Sequence, residues 1–152
     1  MAEFDYVVVG GGSAGCVLAA RLSEDPAARV CLIEAGPSDR SALVTMPVGV
    51  AFMLPTRIRN WAFETVPQEA LYQRRGYQPR GRMLGGSSSM NAMIYMRGHP
   101  SDYDDWAAAG ATGWAWRDVL PYFLRAENNE RGASDLHGVG GPLNVADLRS
   151  PN

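Results

Sequence analysis

Residues 5–34 constrain this chain's fold more than any other stretch. A short β-branched run at 6–9 reads as a strand buried on both faces. Glycines follow at 10, 11, 12 and 15, and then Ala14, Leu18 and Leu22 recur every fourth residue, marking one face of a helix. Asp25-Pro26 is the expected stop for that helix, because a residue before proline disfavours the α region. "RVCLIEAG" reads as a second strand ending at Glu34. Strand, Gly-x-Gly-x-x-Gly, helix, strand and acid together predict a βαβ dinucleotide unit, and hence an α/β, Rossmann-like fold.

Each glycine has an expected task. Gly10 permits the tight turn, Gly12 lets the main chain approach a pyrophosphate, and Gly15 lets the helix pack closely on the strand. The helix N-terminus at Ser13 and Ala14 offers N–H groups and partial positive charge to a phosphate. Glu34 lies 19 residues after Gly15, where a carboxylate accepts hydrogen bonds from ribose hydroxyls, with Ala35 beside it. An acid there, rather than an arginine, argues against a 2′-phosphate and so against NADP. The unit by itself leaves NAD and FAD both open.

Charge excludes another class of partner. Against 16 Asp+Glu stand 14 basic residues, all of them Arg, for a formal charge of −2, so a nucleic-acid footprint is not expected. Cys16 and Cys31 are outside any metal-ligand spacing and read as small buried hydrophobes of a reducing compartment. No metal site is expected. Neither a leader sequence nor an apolar run of spanning length is visible, which makes a cytoplasmic location the expectation, compatible with peripheral attachment of a longer parent to a membrane.

The middle of the chain is rich in glycine and proline, and residues 36–79 show no long element. Alternation at Trp61, Phe63 and Thr65 suggests a short strand. From Ser101, the expected N-cap, "SDYDDWAAAG" reads as a helix that stops at Gly110. "WAWRDVLPYFLRAENN" reads as another, with Val119, Leu120, Phe123 and Leu124 on one face and Pro121 near the first turn. Trp114, Trp116, Tyr122 and Phe123 are expected to pack in a core, and 143–145 to form a strand after a Gly-rich turn. His99 and His137 are expected to be structural, because neither stands in a triad-like arrangement.

"GRMLGGSSSMNAMIYMRGHPSDYD" (81–104) resembles the N-terminal signature of the glucose–methanol–choline (GMC) flavin oxidoreductases. Gly81, Arg82, Leu84, Gly85, Gly86, Ser87, Ser88, Met90, Asn91, Tyr95, Gly98 and Asp104 carry the match, and the likeness extends over nearly the whole chain. It is closest in character to the choline-dehydrogenase-like and aliphatic alcohol dehydrogenase branch. The resemblance implies FAD, with Gly10, Gly12, Ser13, Ala14 and Gly15 on the pyrophosphate and Glu34 on the adenosine ribose. Trp61 would lie beside the cofactor. Arg82, Leu84, Gly85, Gly86 and Ser87 would run along the phosphates and ribityl chain, and Asn91, Ala92 and Met93 would touch the isoalloxazine. Consecutive small residues suit such closeness of main chain to ring.

Two departures refine this. Some family members bond FAD covalently through a histidine just before the asparagine. Here that residue is Met90, and a thioether is no such nucleophile, so non-covalent FAD is implied. Family members are also several-fold longer and carry a late His–His or His–Asn pair that takes the alcohol's proton. Residues 1–152 are therefore expected to be the N-terminal portion of an FAD-binding domain, with no catalytic residue of their own, and to depend on the remainder of the same polypeptide. The parent would oxidise a small-molecule primary alcohol. An inactive FAD-binding fragment and a different FAD or NAD enzyme using the same fingerprint are the rival expectations.

Overall fold

The computed structural model describes residues 3–149, which form two compact units divided between Met93 and Ile94. Residues 1–2 and 150–152 lie outside the described residues.

The first unit opens with the expected βαβ arrangement. Strand β1 (Tyr6–Val9) leads through the glycines to helix α1 (Ser13–Leu22), and β2 (Val30–Ile33) returns parallel to β1, Tyr6 opposite Val30 and Val9 opposite Ile33. α1 ends before the predicted Asp25-Pro26 stop, at Leu22, where the N–H of Ser23 bonds the carbonyl of Ala19 at 3.1 Å. The Asp25 carboxylate instead closes the next turn by accepting from the Ala27 N–H at 2.9 Å.

Two short helices occupy the stretch that showed no periodicity: α2 (Ala42–Thr45) and α3 (Gly49–Met53). The strand expected around Trp61 is real but only two residues long. β3 (Phe63–Glu64) pairs antiparallel with β4 (Tyr77–Gln78). A 3-10 turn, Gly86–Ser89, then leads to a small core of Met53, Met83 and Met90, all within 4% exposure, with Leu43 and Val44 against it.

The second unit holds α4 (Pro100–Ala108), α5 (Trp116–Ala126), β5 (Glu127–Asn129) and β6 (Leu143–Val145), with β5 parallel to β6. The N-cap of α4 is His99, not Ser101. Its Nδ1 accepts from the Ser101 N–H at 3.3 Å, while Asp102 accepts from the His99 N–H at 2.8 Å, and Pro100 fills the first helical position. Gly110 follows the helix at φ +105, the left-handed conformation that stops it. Pro121 is the sixth residue of α5, in the interior rather than the first turn. It is exposed, so the break it causes in the hydrogen-bond ladder faces solvent.

Tyr103, Trp106, Trp114, Trp116 and Phe123 form one aromatic cluster with ring centroids 5.4–6.1 Å apart. Tyr122 is not part of it. That ring is 66% exposed and lies under the Arg125 guanidinium.

Candidate functional site

All sixteen candidate cofactor residues lie in the first unit. The glycines there are positioned as the βαβ reading requires. Gly10 sits at φ +99, where a side chain would be strained. A Cβ on Gly15 would stand 1.8 Å from the Gly10 carbonyl oxygen, so only glycine admits this helix–strand contact. A Cβ on Gly10 or Gly12 would meet nothing within 4 Å. At these two positions the main chain faces open space.

That space is a cleft of about 390 Å³ lined by Val9, Gly10, Gly12, Ile33, Glu34, Ala35, Trp61, Gly81 and Gly86. The N-cap of α1 is Gly12, and no side chain caps the helix, so its first-turn N–H groups remain available for an anion. Across the cleft, Glu34 accepts from the Gly11 N–H at 2.6 Å through one oxygen and from the Gly36 N–H at 2.8 Å through the other. Each oxygen keeps a second lone pair, so the carboxylate is fixed in place and still able to accept. Leu84 backs the turn: a Cβ on Gly11 would lie 3.1 Å from its Cδ1.

Arg82 stands over the Trp61 ring, 5.4 Å from its centroid, and its buried Nε–H has no hydrogen-bond partner. A buried donor left unpaired costs on the order of 1–3 kcal/mol. Trp61 itself is 41% exposed and stacks on Phe63, planes 6° apart.

The glycines of 81–86 meet a constraint within the chain itself. A Cβ on Gly81 would lie 2.2 Å from the Gly86 oxygen, one on Gly85 2.0 Å from the Ser89 hydroxyl, and one on Gly86 2.8 Å from the Gly12 Cα. The Gly85 N–H donates to the Gly11 carbonyl at 2.7 Å, and Ser87 accepts from the Gly81 N–H at 3.1 Å. This loop is packed on itself and on the glycine turn, chain against chain, and its outer edge forms the cleft wall.

Asn91 and Met93 do not line that cleft. They border a second one, of about 210 Å³, with Met46, Pro47, Val50 and Ser88 among its walls, and Ala92 is exposed between them. Met90, just before them, points into the methionine core at 4% exposure.

Asn60 carries no motif and was not anticipated. Only 1% exposed, it accepts through Oδ1 from the N–H groups of Ala62 and Arg80, both at 2.9 Å. Its Nδ2 lies within 2.9–3.3 Å of the carbonyls of Met53, Leu54 and Thr56 and of the Tyr77 hydroxyl. It joins the end of α3 to the segments around Trp61 and Arg80.

In the second unit, the carboxylate of Glu127 is fully buried. It pairs with Arg97 and accepts from Asn129 at 2.8 Å, His137 Nδ1 at 3.0 Å and the Gly138 N–H at 3.2 Å. Burial alone would raise its pKa, but these hydrogen bonds and the Arg97 charge outweigh that and hold the carboxyl below the usual carboxylate range. The two histidines thus serve a helix cap and this buried cluster.

The GMC oxidoreductase family model matches residues 4–151. The chain belongs to the GMC oxidoreductase family. Members of this family are flavoproteins. An alcohol dehydrogenase [acceptor] of Pseudomonas putida is 51% identical over 98% of the chain, and the mitochondrial choline dehydrogenase of Homo sapiens 50% identical over 95%. The chain spans 27% and 25% of those two relatives' lengths. Among solved structures, pyridoxine 4-oxidase from Mesorbium loti superimposes with a TM-score of 0.87 at 44% identity, over 98% of this chain and 30% of its own. The fold is accordingly that of the N-terminal GMC domain. None of the described helices is long and apolar enough to cross a membrane.

Proposed function

We propose that this chain is the FAD-binding portion of a GMC enzyme that oxidises a primary alcohol to an aldehyde. The observation that carries the reading is the open main chain at Gly10 and Gly12, lining one cleft with a fixed Glu34 and with Trp61, over whose ring the Arg82 guanidinium stands. Uncapped N–H groups and a guanidinium suit a pyrophosphate, a carboxylate with spare lone pairs suits ribose hydroxyls, and an exposed indole suits a flat ring.

When bound, FAD would supply the two-electron acceptor, taking hydride at N5 from the carbinol carbon. This chain's part is to bind and orient. Ser13, Ala14 and Gly15 would hold the phosphates at the start of α1, and Glu34 and Ala35 the ribose. Leu84 to Ser87 would keep the loop wall against the glycine turn. Asn91, Ala92 and Met93 would border the ring. The alcohol's proton would go to residues of the remaining polypeptide, since His99 and His137 are committed to a helix cap and to Glu127.

Met90 supports non-covalent attachment. Its thioether is buried in the methionine core and is no nucleophile toward the flavin. The test uses the full-length protein: yellow flavin should co-purify, bleach anaerobically on addition of a primary alcohol, and pass into the supernatant on acid precipitation. Colour retained in the pellet overturns the non-covalent reading, and absence of bleaching with any primary alcohol overturns the reaction. Residues 1–152 alone should reduce no dye.

A further inference from the structure

The reading above has Asn91 touching the flavin, but its side chain is engaged within the chain. Its Oδ1 accepts from the Met93 N–H at 2.7 Å. Met93 sits at φ +58, a left-handed conformation that a residue with a long side chain rarely adopts, at a cost on the order of 1–3 kcal/mol. The asparagine carbonyl spans this turn and offsets the strain by mimicking a main-chain bond. On the other side the turn is anchored by Met90, 4% exposed against Met53 and Met83. The turn therefore has one end fixed by burial and the other by a single side-chain hydrogen bond, and it borders the second cleft.

We propose that Asn91 is a positioning residue: it acts through Met93, holding the 91–93 turn in the shape that presents its main chain to the flavin. This rests on the reading that the turn borders the ring. It differs from direct contact in what each substitution should do. Asn91→Asp keeps the Oδ1 acceptor, loses the amide N–H groups and adds a negative charge. Asn91→Ala loses the acceptor. Met93→Gly removes the need for it, because glycine adopts a positive φ without strain.

The experiment measures FAD affinity of the full-length apoprotein by flavin fluorescence, together with the absorption spectrum of the bound flavin. Asn91→Ala should weaken FAD about tenfold, the size of one net hydrogen bond, and shift the flavin absorption bands. Asn91→Asp should bind FAD more tightly than Asn91→Ala, since the acceptor that holds the turn is kept, with the added charge taking back part of the gain. The double variant Asn91→Ala, Met93→Gly should bind FAD more tightly than Asn91→Ala alone. If Asn91→Asp is as weak as Asn91→Ala, the amide donates directly to the ligand and the proposal is overturned. Failure of Met93→Gly to restore Asn91→Ala overturns it equally. A parent protein that binds no FAD at all overturns the functional reading itself, which separates the two failures.

Discussion

The Gly15 Cα and the Gly10 carbonyl oxygen are so close that a Cβ on Gly15 would stand 1.8 Å from that oxygen. The obstacle is main chain, which cannot swing aside as a side-chain tip can. Gly15→Ala must therefore push α1 off β1, and the first-turn N–H groups move with it. The expected loss is at least the ~1–3 kcal/mol of an overpacked site, with FAD affinity falling in parallel. Gly12→Ala is the contrasting case, since its Cβ would enter open space. It should leave the denaturation midpoint of the apoprotein nearly unchanged while weakening FAD, because only a ligand occupies that space. Equal loss of apoprotein stability in both variants would contradict this division.

Asn60→Ala should be among the most destabilising substitutions in the first unit. It strips acceptors from the Ala62 and Arg80 N–H groups and a donor from the carbonyls at the end of α3, all around a side chain 1% exposed. Unsatisfied buried polar groups cost about 1–3 kcal/mol each, so a total of roughly 3 kcal/mol or more is expected by urea denaturation of the full-length protein. Trp61 fluorescence should change as well, because the Trp61 N–H bonds the Arg80 carbonyl at 2.9 Å on the strand Asn60 ties down.

The contrast between Gly15 and Asn60 shows what was legible in the sequence. The βαβ unit could be read because its signals are local: β-branched residues, glycines at fixed offsets and a helical repeat all fall within residues 5–34. Asn60 could not, because its partners are 2–20 residues away and converge only in the folded chain. Helices α2 and α3, of four and five residues, are too short for periodicity to register. Strand β5 escaped because Glu127, Asn128 and Asn129 are polar residues. The burial of Glu127 and Asn129 follows from the Arg97 pairing and from a partner strand 16 residues on. The small residues of the loop at 81–86 were read as room for a cofactor against the main chain, whereas the contacts they admit in the structure are of main chain with its own chain.

Glu127 gives a pH dependence with a defined sign. Its pKa is lowered in the folded protein from an ordinary value of 4.5, so the folded state binds its proton less readily than the unfolded state. Its contribution to stability is then fully present above about pH 4.5 and is lost as pH falls through the lower, folded value. Glu127→Gln should remove that acid-side loss. It should also leave the Arg97 guanidinium, with its side chain 11% exposed, without a counter-charge. The expected cost at pH 7 is about 3–5 kcal/mol, the usual result of removing one partner of a buried pair. Parallel pH–stability curves for the two proteins between pH 3 and 7 would contradict this account.

Residues 1–152 in isolation should not give a sharp cooperative melt. The β1–β2 sheet has two parallel strands, and among the described residues no third strand pairs with either edge. Parallel strands are ordinarily covered on both faces, yet Val7 is 57% exposed, Val9 81% and Ile33 50%. None of the residues of α1 is buried. The methionine core and the aromatic cluster are small, so little apolar burial opposes the chain entropy of about 1–2 kcal/mol per ordered residue. Unpaired edges flanked by exposed β-branched side chains invite self-association. Calorimetry and light scattering of the isolated chain should show a broad or absent transition with concentration-dependent aggregation. Charged substitutions at Val9 and Ile33 should reduce the aggregation without producing a transition. A two-state melt of a monomeric 152-residue chain would show instead that the two strands and their helix are self-sufficient.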